Sequence, residues 1–98
     1  MRHLYTVICE YDGGTYIAQE MADSPKGAVH SWLDRLGSKD RLPRQLRKQL
    51  QDDLNEDPPI AVDECDNVWC YSASSEKGLV LINVVLTASE TEKVHKGL

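Results

Sequence analysis

The side chains with most chemistry to offer in this chain are its three cysteines and three histidines. Cys65 and Cys70 enclose Asp66, Asn67, Val68 and Trp69, and with His3 or His30 they bring sulfur and nitrogen donors to one chain. Structural zinc sites add a second ligand pair to such a pair of cysteines, and it is missing here. The sequence therefore predicts core or partly buried thiols, with no metal and no cofactor. A nucleophile made of Cys9, Cys65 or Cys70 with His30 as its base needs an exposed, activated thiolate. Nothing beside these cysteines lowers a thiol pKa, and Glu64 and Asp66 oppose ionisation of Cys65. No catalytic residue is assigned.

Gly13-Gly14 has the composition of a phosphate-binding loop but precedes a β-rich run, whereas a phosphate loop opens a helix whose N-terminus meets the anion. The acidic stretch from Asp52 to Asp66 lacks the Gly and Glu placement of a calcium loop. Arg35, Lys39, Arg41, Arg44, Arg47 and Lys48 hold six of the eleven Lys and Arg residues. Arg41, Arg44, Arg47 and Lys48 are accordingly the candidates for a phosphate contact. Base-stacking modules set aromatic rings beside such charge, and the nearest ring, Trp32, belongs to an apolar stripe. The favoured reading of the basic run is a solvated face pairing with the chain's own acidic segment.

The elements that must position these groups are organised around Leu79-Val80-Leu81-Ile82-Asn83-Val84-Val85-Leu86. Its β-branched content and the turn-formers Ser74 to Gly78 ahead of it predict a buried central strand. Alternation puts Val80, Ile82, Val84 and Leu86 on one side and Leu79, Leu81, Asn83 and Val85 on the other, so both faces ask for cover. At the other end of the chain, Leu4 to Glu10 and Thr15 to Glu20 flank Asp12-Gly13, a two-residue hairpin signal. That loop predicts Cys9 opposite Tyr16, Val7 opposite Ala18 and Ile8 opposite Ile17. One face then holds Tyr5, Val7, Cys9, Tyr16 and Ala18, and the other holds Leu4, Thr6, Ile8, Thr15, Ile17 and Gln19.

Between the hairpins, Ser24-Pro25 caps and opens a helix with the stripe Ala28, Val29, Trp32, Leu33 and Leu36, stopped by Gly37. A second helix is predicted from about Leu42 or Pro43 to Leu54, with Leu42, Leu46, Leu50 and Leu54 on one side. Its basic start and acidic end oppose the helix macrodipole, so it depends on tertiary contacts. Pro58-Pro59 excludes helix or central strand, Ile60 and Val62 suit a short edge strand, and Val68 to Ala73 reads as a strand.

The predicted fold class is α+β: a four-stranded antiparallel sheet from two hairpins, in the order β-β-α-α-β-β, with two helices packed on one face. Strand order is left open. Residues 1–88 form the single domain and 89–98 a mobile tail. The opening of the chain has no apolar h-region and the cysteine count is odd, which predicts a cytoplasmic protein with reduced thiols. No stretch is long enough to cross a bilayer as a helix. A net charge of -5 disfavours non-specific contact with nucleic acid or anionic membranes.

The stretch from Tyr5 to Leu36, with its strand, the turn Asp12-Gly13-Gly14-Thr15-Tyr16, a second strand and the capped start Ser24-Pro25, resembles the opening of HicB-like antitoxins. That resemblance implies a partly degraded ribonuclease-H-like module that binds a small protein toxin. Those antitoxins carry a third strand between the second strand and the helix, where this chain passes from Glu20 almost directly to Ser24. No functional residue is carried over.

Two short helices cover one side of a four-stranded sheet, which leaves Leu4, Ile8, Ile17, Leu79, Leu81 and Val85 as an apolar patch on the other. The functional expectation is a non-catalytic interaction or regulatory module that forms a homodimer through this patch. One alternative is a small enzyme or ligand-binding domain with a pocket between helix and sheet lined by Tyr16, His30, Trp32 or Trp69. The other is an antitoxin-like binder of another small protein, with weak nucleic-acid contact through the four basic residues named above.

Overall fold

A computed structural model of the chain describes residues 1–35 and 41–87. The elements in order are β1 (His3–Tyr11), β2 (Gly14–Ala22), α1 (Pro25–Asp34), α2 (Arg44–Glu56), β3 (Ile60–Ala61), β4 (Val68–Ser75) and β5 (Gly78–Leu86). They form one antiparallel sheet in the order β2-β1-β5-β4-β3. The apolar run of β5 is thus the middle strand, flanked by one strand from each hairpin.

The sheet has five strands where four were expected. The fifth is the short edge strand that Ile60 suits: it forms at Ile60 and Ala61 rather than reaching Val62, and pairs with Cys70 and Trp69 on the outer edge of β4. The order is therefore β-β-α-α-β-β-β. The N-terminal hairpin has the expected register, with Cys9 opposite Tyr16, Val7 opposite Ala18 and Ile8 opposite Ile17. Its loop works because Asp12 and Gly13 both take positive φ, 48° and 81°, the twist a two-residue hairpin requires. The second hairpin turns at Glu76-Lys77, so β4 extends to Ser75, two residues beyond the predicted end. The Ser75 hydroxyl accepts from Lys77 N–H at 3.2 Å and donates to Gly78 C=O at 2.7 Å, tying the turn together.

Ser24 caps α1, its Oγ accepting from Gly27 N–H at 3.0 Å, and Pro25 occupies the first turn. The helix stops at Asp34 rather than Leu36, because Arg35 turns extended and gives its N–H to Trp32 C=O. Leu36, Gly37 and Lys39 lie outside the described residues, as does the predicted tail. The second helix runs two residues past Leu54, to Glu56. It has no side-chain cap, no acid in its first turn and no base in its last. Its stability comes from Leu42, Leu46, Leu50 and Leu54, all buried against the sheet with Ala28, Val29, Trp32 and Leu33 of α1.

Both helices lie on the face that carries Tyr5, Val7, Cys9, Val80, Ile82 and Val84. Gln51 of α2 joins the two: its Oε1 accepts from His30 Nδ1, and its Nε2 donates to Asp34 Oδ1 at 2.8 Å. At the sheet, buried Glu20 of β2 accepts from Ser31 Oγ at 2.9 Å and from Arg35 at 3.0 Å, so α1 is fastened to β2 by a carboxylate whose charge is paired.

Leu50 is fully buried between helix and sheet. Leu50→Ala is expected to lower unfolding free energy by about 3 kcal/mol through lost transfer energy and a residual cavity. Urea denaturation followed by circular dichroism measures it, and a loss below about 1 kcal/mol contradicts this seating of α2.

Candidate interaction surface

The opposite face of the sheet is built by the alternate residues of the same strands. Leu4, Thr6, Ile8 and Glu10 come from β1, and Thr15, Ile17, Gln19 and Met21 from β2. Leu79, Leu81, Asn83 and Val85 come from β5, and Val68, Cys70, Ser72 and Ser74 from β4. Ile60, opposite Cys70, extends the face onto β3. Among the described residues no helix packs here, and the large apolar side chains are open to solvent: Ile17 is 67% exposed, Ile60 74%, Leu79 61% and Met21 47%. All six residues of the predicted patch, Leu4, Ile8, Ile17, Leu79, Leu81 and Val85, lie on this one face. Sequence reasoning left out Met21, Val68, Cys70 and Ile60. Their alternation was readable, but their place on the same surface follows from the strand order.

The face also carries seven polar residues, Thr6, Glu10, Thr15, Gln19, Ser72, Ser74 and Asn83. Thr6 Oγ1 bonds Thr87 Oγ1 at 2.5 Å and accepts from Gln19 Nε2 at 3.2 Å. Asn83 stands at the centre of the middle strand, and its side-chain amide has no hydrogen-bond partner among the described residues. Near the β3 edge, Pro58, Ile60, Val62, Cys70 and Ser72 line an open, largely apolar hollow of about 420 Å³.

The other sequence candidates are scattered. Cys9 is buried in the core, Cys65 is exposed in the loop before β4, and Cys70 is partly exposed on the open face. No three His, Cys, Asp or Glu side chains converge on a metal-sized site among the described residues. His30 is held by Gln51 on the outside of the helix layer. Tyr16 and Trp32 border a shallow hollow beside β2, with the Arg41 guanidinium 5.3 Å from the Tyr16 ring centroid. Trp69 instead packs edge-on against Tyr5, 6.1 Å between centroids. The fully buried side chains of Leu33, Leu50, Leu54 and Ile82 fill the middle of the space between helices and sheet.

Of the basic candidates, Arg44, Arg47 and Lys48 share the first turns of α2 while Arg41 stacks on β2. Arg47 Nε is buried without a hydrogen-bond partner among the described residues. The expected pairing of this run with the acidic segment is not formed by Arg44, Arg47 or Lys48.

Two buried acids of the weak kind sit on the helix side. Burial, with Glu10 adding a smaller push, raises the Cys9 thiol to about 12. Burial followed by Asp53 and Asp57 raises the Tyr71 phenol to about 12, and its hydroxyl has no partner among the described residues.

No protein-family model, curated protein or solved structure matches this chain.

With the Cys9 pKa raised on folding, its stabilising contribution is complete below the ordinary thiol value of 9.0 and is lost as pH climbs toward about 12. Thermal midpoints are therefore expected to fall over that window, and less steeply in Cys9→Ala. Titration with an aromatic disulfide at pH 8 should modify Cys65 and Cys70 rapidly and Cys9 only on unfolding; rapid reaction of all three thiols contradicts the buried position.

Proposed function

We propose that this protein is a non-catalytic interaction module and that the open sheet face is its binding surface, occupied by a second copy of the same chain. The observation that carries the reading is a set of aliphatic side chains on one face, Ile17, Met21, Ile60 and Leu79 exposed and Leu81, Ile8 and Val85 half-buried among them. Monomers rarely leave a patch of this kind in water, because each aliphatic side chain moved out of solvent contributes roughly 1.5–3 kcal/mol.

Size supports a second copy as the occupant. Four strands of eight or nine residues, each about 28 Å long, and the two-residue β3, at a spacing of about 4.8 Å, give a footprint on the order of 600 Å². Side-chain relief brings that close to the roughly 800 Å² per partner of a standard interface. A two-fold contact needs only one self-complementary patch, and sheets stack face to face with their strands nearly aligned.

Sedimentation equilibrium at micromolar concentration should give twice the 11.0 kDa chain mass. Leu81→Asp places two carboxylates in the shared face and is expected to weaken association at least about 100-fold, roughly 2.8 kcal/mol, while the circular dichroism spectrum stays native. A wild-type monomer removes the reading, and unfolding of Leu81→Asp shows that Leu81 serves the internal core instead.

A further inference from the structure

The open face has a symmetry of its own. Ile17, Ile8, Asn83, Cys70 and Ile60 stand in register, one from each strand, in a straight row across the sheet. Taken from either edge the row has the same character: an exposed isoleucine, then a smaller or equal apolar group, then the amide of Asn83 in the middle. Along β5 the neighbours of Asn83 on this face are Leu81 on one side and Val85 on the other.

Resting on the self-association proposed above, we infer that two copies stack their open faces about a two-fold axis that runs along β5 through Asn83. Such an axis reverses the strand order between the layers. The β5 strands lie over each other, β1 lies over β4 of the second copy, and β2 lies over β3. Ile17 then meets Ile60 of the second copy, Ile8 meets Cys70, and Leu81 and Val85 each meet their own equivalents. Glu10, on β1, faces the Ser72 hydroxyl of β4, a donor for its carboxylate. The two Asn83 amides face each other across the axis, where each supplies the donor and the acceptor the other lacks, and a single amide in an apolar seam specifies register.

The other two-fold arrangement, with its axis across the strands, puts every strand over its own equivalent. Charge decides against it. Asp57, Asp63, Glu64 and Asp66 are exposed around β3, and no basic residue occurs from Glu56 to Cys70. Stacking β3 over β3 sets these four carboxylates against the same four of the second copy. The β2 edge carries the opposite sign: Arg2 donates to Met21 C=O at 2.6 Å, and from the helix side of the strand Arg35 donates to Gln19 C=O at 3.3 Å and Arg41 lies on the Tyr16 ring. Asp12 and Asp23 stand only at the two ends of that strand, and Glu20 is buried against Ser31 and Arg35. Reversed order brings the acidic edge of each copy to the arginine-bearing edge of the other, twice per dimer.

Cross-linking separates the arrangements. In a Cys65→Ser, Cys70→Ser background, Ile17→Cys and Ile60→Cys are prepared as separate proteins and oxidised with copper–phenanthroline, alone and after mixing. Both positions are more than half exposed, so neither substitution threatens the core. The expected result is a disulfide-linked dimer on a non-reducing gel from the mixture alone. As a second variant, Ile8→Cys with native Cys70 retained should cross-link without mixing. A protein of dimeric mass in which Ile17→Cys links to itself, or in which none of these pairs links, overturns the arrangement and leaves self-association standing. A wild-type protein that sediments as a monomer overturns both.

Discussion

Among the described residues, two helices and five strands do not balance. A helix layer about 10 Å wide per helix covers one side of this sheet and no more, and every other feature follows from how the chain disposes of the remainder. On the covered side, β1 and β5 contribute Val7, Cys9, Val80, Ile82 and Val84, each without measurable exposure. On the uncovered side the same strands turn out Leu4, Ile8, Leu81 and Val85. Strands with apolar residues on both faces suit a sheet sandwiched between layers, and the described residues supply only one of the two.

The covered side shows what holds a small helix layer in place. Neither the dipole nor capping favours α2, whose charges run against it and whose first turn starts at Pro43 without a side-chain cap. Leu46, Leu50 and Leu54 at helical spacing, with Leu42 buried just ahead of the helix, outweigh those terms, since each buried leucine contributes on the order of 2 kcal/mol and the dipole terms only about 0.5 kcal/mol each. Orientation is added by polar contacts. Gln51 ties α2 to His30 and Asp34 of α1, and the buried carboxylate of Glu20 ties α1 to β2 through Ser31 and Arg35. A buried charge left unpaired would be costly, so this contact also limits how α1 can sit.

Much of this was legible in residue types. The Asp12-Gly13 loop forces positive φ at two successive positions and thereby sets the register of the first hairpin, and periodic leucines name the buried side of α2. The short β3 was harder to read. Two residues after a proline pair carry almost no periodicity, and Ile60–Ala61 becomes a strand only because the outer edge of β4 offers it hydrogen bonds. The end of α1 was misjudged for a related reason: the stripe runs on to Leu36, but the chain leaves the helix at Arg35, whose side chain is drawn to Glu20 and to the Gln19 carbonyl of the neighbouring strand.

Local sequence determined which segments are strands and helices, where each turns, and which alternate residues share a side, because backbone sterics, turn chemistry and periodicity act over a few neighbours. Tertiary structure alone decided that β5 lies between β1 and β4, and so that Ile17, Ile8, Asn83, Cys70 and Ile60 line up in one row. These residues are far apart in the chain, and only hydrogen bonding between strands from opposite ends of it makes them neighbours. The composition of a surface can be guessed from alternation; its pattern, on which recognition depends, exists only once the strands are in order.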